Sequence, residues 1–324
     1  MRGKEELIER LAIRRRSHLK DLSESAYEEL VRSVQAHPET FIEDPSDEAF
    51  ALLVDALDRF GRHSPDEEFF DDSSFLEART KRLSHLISAC EHILSIDPSC
   101  IDAHLCSLLA QDLTQDELLD ALLALSSETD DLLGELTSGD AGDAWGDVMS
   151  HGRIRLQAAI ARTCIDSGRY RMAEKICWDL LALSPCDAIG ARHTCALALS
   201  RLEDEEAFDR LDTHHDRHGD SWSHLGRVIL LFKLGRSAAA KRALIGYTRL
   251  VEGGAYALLR PVYVDTYIPD RPEEHSCSFG EATLAVYEAD PIIVDTPDLV
   301  LWAESIQDVV QTAHSFANLN GYDW

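Results

Sequence analysis

Residues 154–187 read IRLQAAIARTCIDSGRYRMAEKICWDLLALSPCD. Ile154, Ala158, Ala161 and Ile165 recur at helical spacing before a turn written Asp166-Ser167-Gly168-Arg169-Tyr170. Ala173, Ile176, Cys177, Leu180 and Leu181 then set a second apolar stripe on a second helix. Leu183-Ser184-Pro185 closes the unit, because proline cannot continue a helix and drives the residue before it out of helical geometry. The stretch predicts two helices folded back on one another through a glycine turn. Such a pair cannot bury both apolar faces by itself, so it must stack on further pairs.

A second unit of this kind is expected at 221–254. There Leu225, Val228, Leu231 and Phe232 precede Leu234-Gly235-Arg236-Ser237, and Ala240, Leu244 and Tyr247 follow. Between the two lies a degenerate unit. Cys195 and Leu199 mark its first helix, and Ala207, Phe208 and Leu211 its second, but its turn Arg201-Leu202-Glu203-Asp204 lacks the glycine. Upstream, Leu83, Leu86, Ile87, Cys90, Ile93 and Leu94 form one stripe that ends at Ser95-Ile96-Asp97-Pro98. The acidic stretch 126–150 carries Gly134, Gly139, Gly142 and Gly146 and reads as an insertion between stacked helices.

The flanks are helical as well. Two helices are expected over 4–36, ended by His37-Pro38. A third starts at Pro45-Ser46-Asp47-Glu48, with Ser46 as cap, and stops at Gly61. Ala49, Leu52, Leu53, Ala56, Leu57 and Phe60 share one of its faces. Beyond Gly253-Gly254, a segment with Pro261, Pro269, Pro272 and Gly280 crosses irregularly. Helices over 280–289 and 297–317 then close the end, as repeat arrays require. The expected organisation is a helical N-terminal region 1–74, helical repeats 75–254 and a C-terminal cap 255–324.

Repeat length, glycine turn, small alanine and closing proline resemble the tetratricopeptide repeat. The region 153–304 further resembles a bacterial family of tetratricopeptide-like proteins related to the repeat region of the suppressor-of-tumorigenicity family. The resemblance is carried by the turn at 166–170, Lys233-Leu234-Gly235-Arg236-Ser237 and Tyr256-Ala257-Leu258-Leu259-Arg260. Phe279-Gly280-Glu281-Ala282 and Thr296-Pro297-Asp298-Leu299-Val300-Leu301-Trp302 add to it. It implies an all-α helical solenoid that serves as an intracellular interaction scaffold, and it supplies no catalytic residue.

Composition narrows the classes of function. Hydrophobic residues make up 45% of the 324, enough for a packed core. Acidic residues number 59 against 31 basic ones, a formal net charge of -28, which repels phosphate backbones and anionic membranes. Only the start is basic, with Arg2, Lys4, Arg10, Arg14, Arg15, Arg16 and Lys20 against Glu5, Glu6 and Glu9; it reads as a first helix docked on the body. No continuous apolar signal segment opens the chain, and no apolar run approaches the about 20 residues that span a bilayer. None of the eight cysteines forms a CxxC pair, so they read as reduced core thiols of a cytoplasmic protein.

Candidate chemistry is sparse. His214 and His218 share a helix face at i,i+4, and Asp216 and His224 stand near in sequence, a metal-ligand pattern that also suits an ordinary polar loop. His275 and Cys277 offer a base and a thiol, but catalytic pairs meet through the fold rather than two residues apart. No phosphate-binding loop, dinucleotide fingerprint or nucleophile elbow is present, so neither catalysis nor a cofactor or metal is expected. The scarce cations carry the stronger expectation. Arg155, Arg162, Arg192 and Lys233 fall on the first helices of their units, which line the concave wall of such a stack. There they would hold a carboxylate-bearing peptide or protein. The alternatives are an acidic mimic or chaperone that engages a basic partner on its outer surface, and a metal-dependent or thiol enzyme.

Overall fold

A computed structural model describes residues 3–19, 22–62, 72–129, 142–217, 219–260 and 262–324. The described residues form sixteen α-helices and no strand. None of these helices is long and apolar enough to cross a membrane. The chain divides into two compact units, residues 1–157 with 268–271 and residues 158–267 with 272–324. Residues 75–129, expected with the repeats, thus belong to the N-terminal unit, and the boundary falls inside a helix. It is set by which side chains pack together, and no linker composition marks it.

The first unit contains α1 (Gly3–His18), α2 (Glu24–Ala36), α3 (Pro45–Phe60), α4 (Asp72–Ile96), α5 (Ile101–Leu109) and α6 (Gln115–Thr129). In chain order, α1 packs on α2 and α3, α3 on α4, α4 on α5 and α5 on α6. Their core gathers Leu11, Phe50, Leu53, Leu86, Cys90, Ile93 and Cys106. Leu83, Ile87 and Leu94 complete the α4 stripe as partly buried residues. The start of α3 differs in one detail. Asp44 is the cap, accepting from Ser46 N at 2.9 Å, and Pro45 takes the first helical position, where its missing N–H and fixed φ are tolerated. Of the stretch expected as an insertion, residues 130–141 lie outside the described residues. Residues 144–150 form two 3-10 turns whose caps are Asp143 and Asp147.

The second unit holds the helix pairs. Joined by short turns, they are α7 (His151–Asp166) with α8 (Tyr170–Leu183), α9 (Ala191–Leu202) with α10 (Glu205–His214), and α11 (Ser221–Lys233) with α12 (Ser237–Leu250), the two helices of each of the last two pairs packing on one another. The first two turns of α7, up to Gln157, belong to the N-terminal unit. Successive pairs touch through α8 on α9 and α9 on α11. Ala173 and Ala240 are fully buried. One close approach is at Gly226, where an added Cβ would lie 2.9 Å from Ser200 Oγ and 3.1 Å from the Phe208 ring. Ser200 donates there to Gly226 O at 2.9 Å.

One turn geometry serves all three pairs. Gly168 and Gly235 stand at φ 74° and 69°, with Arg169 N donating to Cys164 O at 2.7 Å and Arg236 N to Leu231 O at 3.0 Å. The glycine-less middle turn makes the same bond, Asp204 N to Leu199 O at 3.1 Å, and holds Glu203 at φ 60°. Only glycine adopts that conformation freely.

The end of the unit is α13 (Gly254–Leu259), α14 (Phe279–Val294), α15 (Asp298–Glu304) and α16 (Gln307–Asn320). Here two expected boundaries move. α14 runs through Pro291 to Val294, because Ile292 and Ile293 beyond the proline are buried and offset its lost hydrogen bond. The helix expected over 297–317 breaks at Ile306, which turns extended and buries its side chain. Tyr256, Phe279, Phe316 and Tyr322 pack ring on ring under α16. Gly253 at φ 64° lies against them, where a Cβ would meet the Phe279 ring at 2.3 Å.

Glu203 gives a direct check on the shared turn. Glu203→Gly removes the left-handed strain and should raise stability by about 1 kcal/mol. The Lys233–Glu203 contact that it gives up is open to solvent on the Glu203 side and is worth less. A urea midpoint unchanged or lowered in the variant would contradict this account.

Candidate functional site

Arg155 lies in the N-terminal unit and is only 2% exposed. Its Nη2 donates to Glu6 Oε2 at 2.6 Å, Nη1 to Asp102 Oδ1 at 3.2 Å, and Nε to Asp270 Oδ1 and Oδ2 at 3.1 Å each. Arg10 adds a second guanidinium, at 2.8 Å from Glu6 and 3.3 Å from Asp102. Burial opposes charge on Glu6, yet His151, Arg155 and Arg10 outweigh it and hold the carboxyl far below its ordinary range. His151 Nε2 donates to Trp145 O at 2.9 Å, and its ring stacks on the indole at 3.8 Å. Each of the three guanidinium nitrogens of Arg155 has a carboxylate partner inside the unit. It is a buried counter-charge, so its expected place on a ligand-binding wall is corrected.

Arg162, Arg192 and Lys233 lie in the second unit, on α7, α9 and α11. Arg162 stands over the Tyr267 ring at 5.7 Å. Arg192 donates to Asp187 Oδ2 and to Asp220 Oδ2, both at 3.3 Å. Lys233 Nζ lies 3.5 Å from Glu203 Oε1 and is 12% exposed. The reason is local supply: each carboxylate comes from the turn or loop beside the cation. The first helices are also covered. α14 packs on α9 and α11, so the face expected to take a peptide holds the chain's own helix. Glu288 of α14 accepts from Trp222 Nε1 at 2.9 Å and from Tyr267 Oη at 2.5 Å. Arg201 of α9 pairs with Asp295 just past the end of α14.

Asp166, at the end of α7, is the acid that this arrangement disfavours. Loss of hydration and the Glu288 carboxylate push it up to about 6, against the pull of Arg162. Its side chain is exposed, so solvent screens part of the penalty and the direction is what counts.

The remaining candidates stay apart. His218 lies outside the described residues. Among the described residues no group of three or more His, Cys, Asp or Glu side chains is placed to hold a metal ion. Cys277 is half-buried at φ 58°, its Sγ 3.9 Å from Gly219 O, and burial pushes the thiol up, away from the thiolate that a nucleophile needs. Its backbone N–H and that of Ser221, the first residue of α11, both donate to Glu281. All eight cysteines are free thiols. Two features escaped the sequence reading. One is the meeting of Arg192, His193, His215 and Asp220, which come from three separate segments. The other was visible: no Lys or Arg occurs between Arg82 and Arg153.

Two substitutions test these electrostatics. Arg155→Met takes a partner from Glu6 and Asp102, both buried, and from Asp270, and should lower stability by about 3–5 kcal/mol in urea denaturation. A loss below about 1 kcal/mol would show that the carboxylates find other partners. Asp166 has a folded pKa raised from 3.8, so its contribution is full below about 3.8 and is lost as pH rises through about 6. Asp166→Asn should therefore melt above wild type near neutral pH and level with it in acid; the reverse order would contradict the assignment.

Comparison with protein-family models, with curated proteins and with solved structures finds no match for this chain.

Proposed function

We propose that the protein is a helical interaction scaffold that binds a basic partner on its outer, acidic surface. The three helix pairs of the second unit are read as tetratricopeptide-like units, which supports a scaffold rather than a catalyst. Of the two interaction readings, the concave groove for an acidic peptide loses its premise. Arg155, Arg192 and Lys233 are engaged by internal carboxylates, and α14 lies across the first helices.

The observation that carries the proposal is the outer face of α6 and the turn before it. Asp112, Asp116, Glu117, Asp120 and Glu128 are all exposed there, inside the long stretch without a Lys or Arg. With 59 acidic and 31 basic residues, many carboxylates have no cation of their own to meet. A field of one sign speeds and steers association with the opposite sign. The partner chemistry is lysine- and arginine-rich, which includes proteins whose own ligands are phosphate backbones.

The test is titration of a lysine-rich peptide and an acidic peptide of equal length into the full chain, at low and physiological salt. The basic peptide should bind and weaken steeply with salt, the acidic one should not. Replacing Asp112, Asp116, Glu117 and Asp120 together with Lys should weaken the basic peptide by about tenfold or more, since every 1.4 kcal/mol is a factor of ten. Tighter binding of the acidic peptide, or basic binding indifferent to these four replacements, would sink the proposal.

A further inference from the structure

The junction between the second and third helix pairs concentrates ionisable groups that the binding proposal does not use. Asp187 accepts from Ala191 N at 2.6 Å at the start of α9, and Asp220 accepts from Ser223 N at 2.8 Å at the start of α11. Arg192 binds both carboxylates, so one guanidinium ties two helix starts together. His193, next on α9, stacks on Trp222 of α11 at 4.1 Å and holds Nδ1 3.3 Å from Asp220 Oδ2.

His215 approaches from a third direction, as the residue that ends α10. Its Nε2 is buried and has no hydrogen-bond partner, and His193 Nδ1 is buried without one of good geometry. His193, His215, Asp212 and Asp220 line a cavity of about 20 Å³, the room that one water takes. An orphaned buried ring nitrogen is costly unless something at that position meets it.

We propose that this cluster is a proton-operated latch, closed while His215 is neutral and loosened when His215 takes a proton from solvent. The charges around His215 decide the sign. Arg192 and His193 on α9 and His214 on its own helix disfavour a further positive charge. Asp187 favours it but is engaged by Arg192 and the start of α9. Asp220 is shared between Arg192, His193 and its own cap, and Asp212 is held by Arg227 of α11 at 2.8 Å. Burial is the largest influence, and together they lower the ring's affinity for a proton below the ordinary 6.5. The unfolded chain therefore takes the proton first as pH falls. The stability contributed by neutral His215 is full above about 6.5 and is lost as pH drops through the folded value.

The experiment is a histidine-ring NMR titration of the full chain, with His215 assigned from His215→Gln, alongside thermal melts at about pH 7.5 and about pH 5.5, which bracket ordinary histidine titration. The expected midpoint of His215 lies below 6.5, and the melting temperature should fall with acid in wild type and in His214→Gln but less in His215→Gln. Hydrogen exchange of the wild-type chain supplies a readout that needs no variant: residues 187–233 should lose protection at the lower pH, after correction for intrinsic rates. A midpoint at or above 6.5, an equal acid response in His215→Gln, or unchanged protection of 187–233 would each overturn the latch.

Discussion

Basic side chains are in short supply in this chain, and the architecture follows from how each is shared. Arg155 alone answers three carboxylates, from α1, α5 and the segment 268–271, which lie up to 149 residues from it in the sequence. Withdrawing a carboxylate from water is unfavourable unless a cation and hydrogen bonds replace the hydration. The guanidinium supplies both, in a planar fork that faces several acids at once. Arg10, Arg192 and Arg227 repeat the pattern with two carboxylates each. Lysine, a point charge on a flexible stem, is left to single contacts such as Lys233 with Glu203.

This sharing explains why the positive residues do not form a receptor surface. A binding cation must be poorly satisfied at home, and the four nominated positions are satisfied in different ways. Arg155 is sealed in the core, Arg192 braces two helix starts, Lys233 pins the middle turn, and Arg162 lies over an aromatic ring. The proposed binding surface draws instead on the surplus of the opposite charge, in a stretch where the sequence has no Lys or Arg.

Local features were legible in the sequence, because they are set by neighbours along the chain. The Gly168 and Gly235 turns, the stripes of α3 and α4, and the end of α4 before Pro98 stand where the residue pattern puts them. The middle pair was legible too, although Glu203 does a glycine's work at some strain. What the residues could not reveal depends on contacts between distant segments. The unit boundary at 157 has no composition shift to mark it. The placement of α14 across α9 and α11 depends on side chains such as Glu288 finding Trp222 and Tyr267. A helical stripe shows which face will be buried and is silent about what will bury it. The internal partners of the four cations could not be read at that step, nor could the break in the single helix expected over 297–317.

The double grip of Arg192 bears on how the second unit loses structure. In stacked helical arrays each pair holds mainly to its neighbours, so stability behaves like a row of links with a term for every joint. Most such joints are apolar contacts that weaken gradually as helices fray. Here one side chain bonds at the starts of α9 and α11 at once, so the first turns of these two helices share a fate. A row with one stiff link tends to break on either side of it. Breaking that grip would release the starts of α9 and α11 together rather than one after the other.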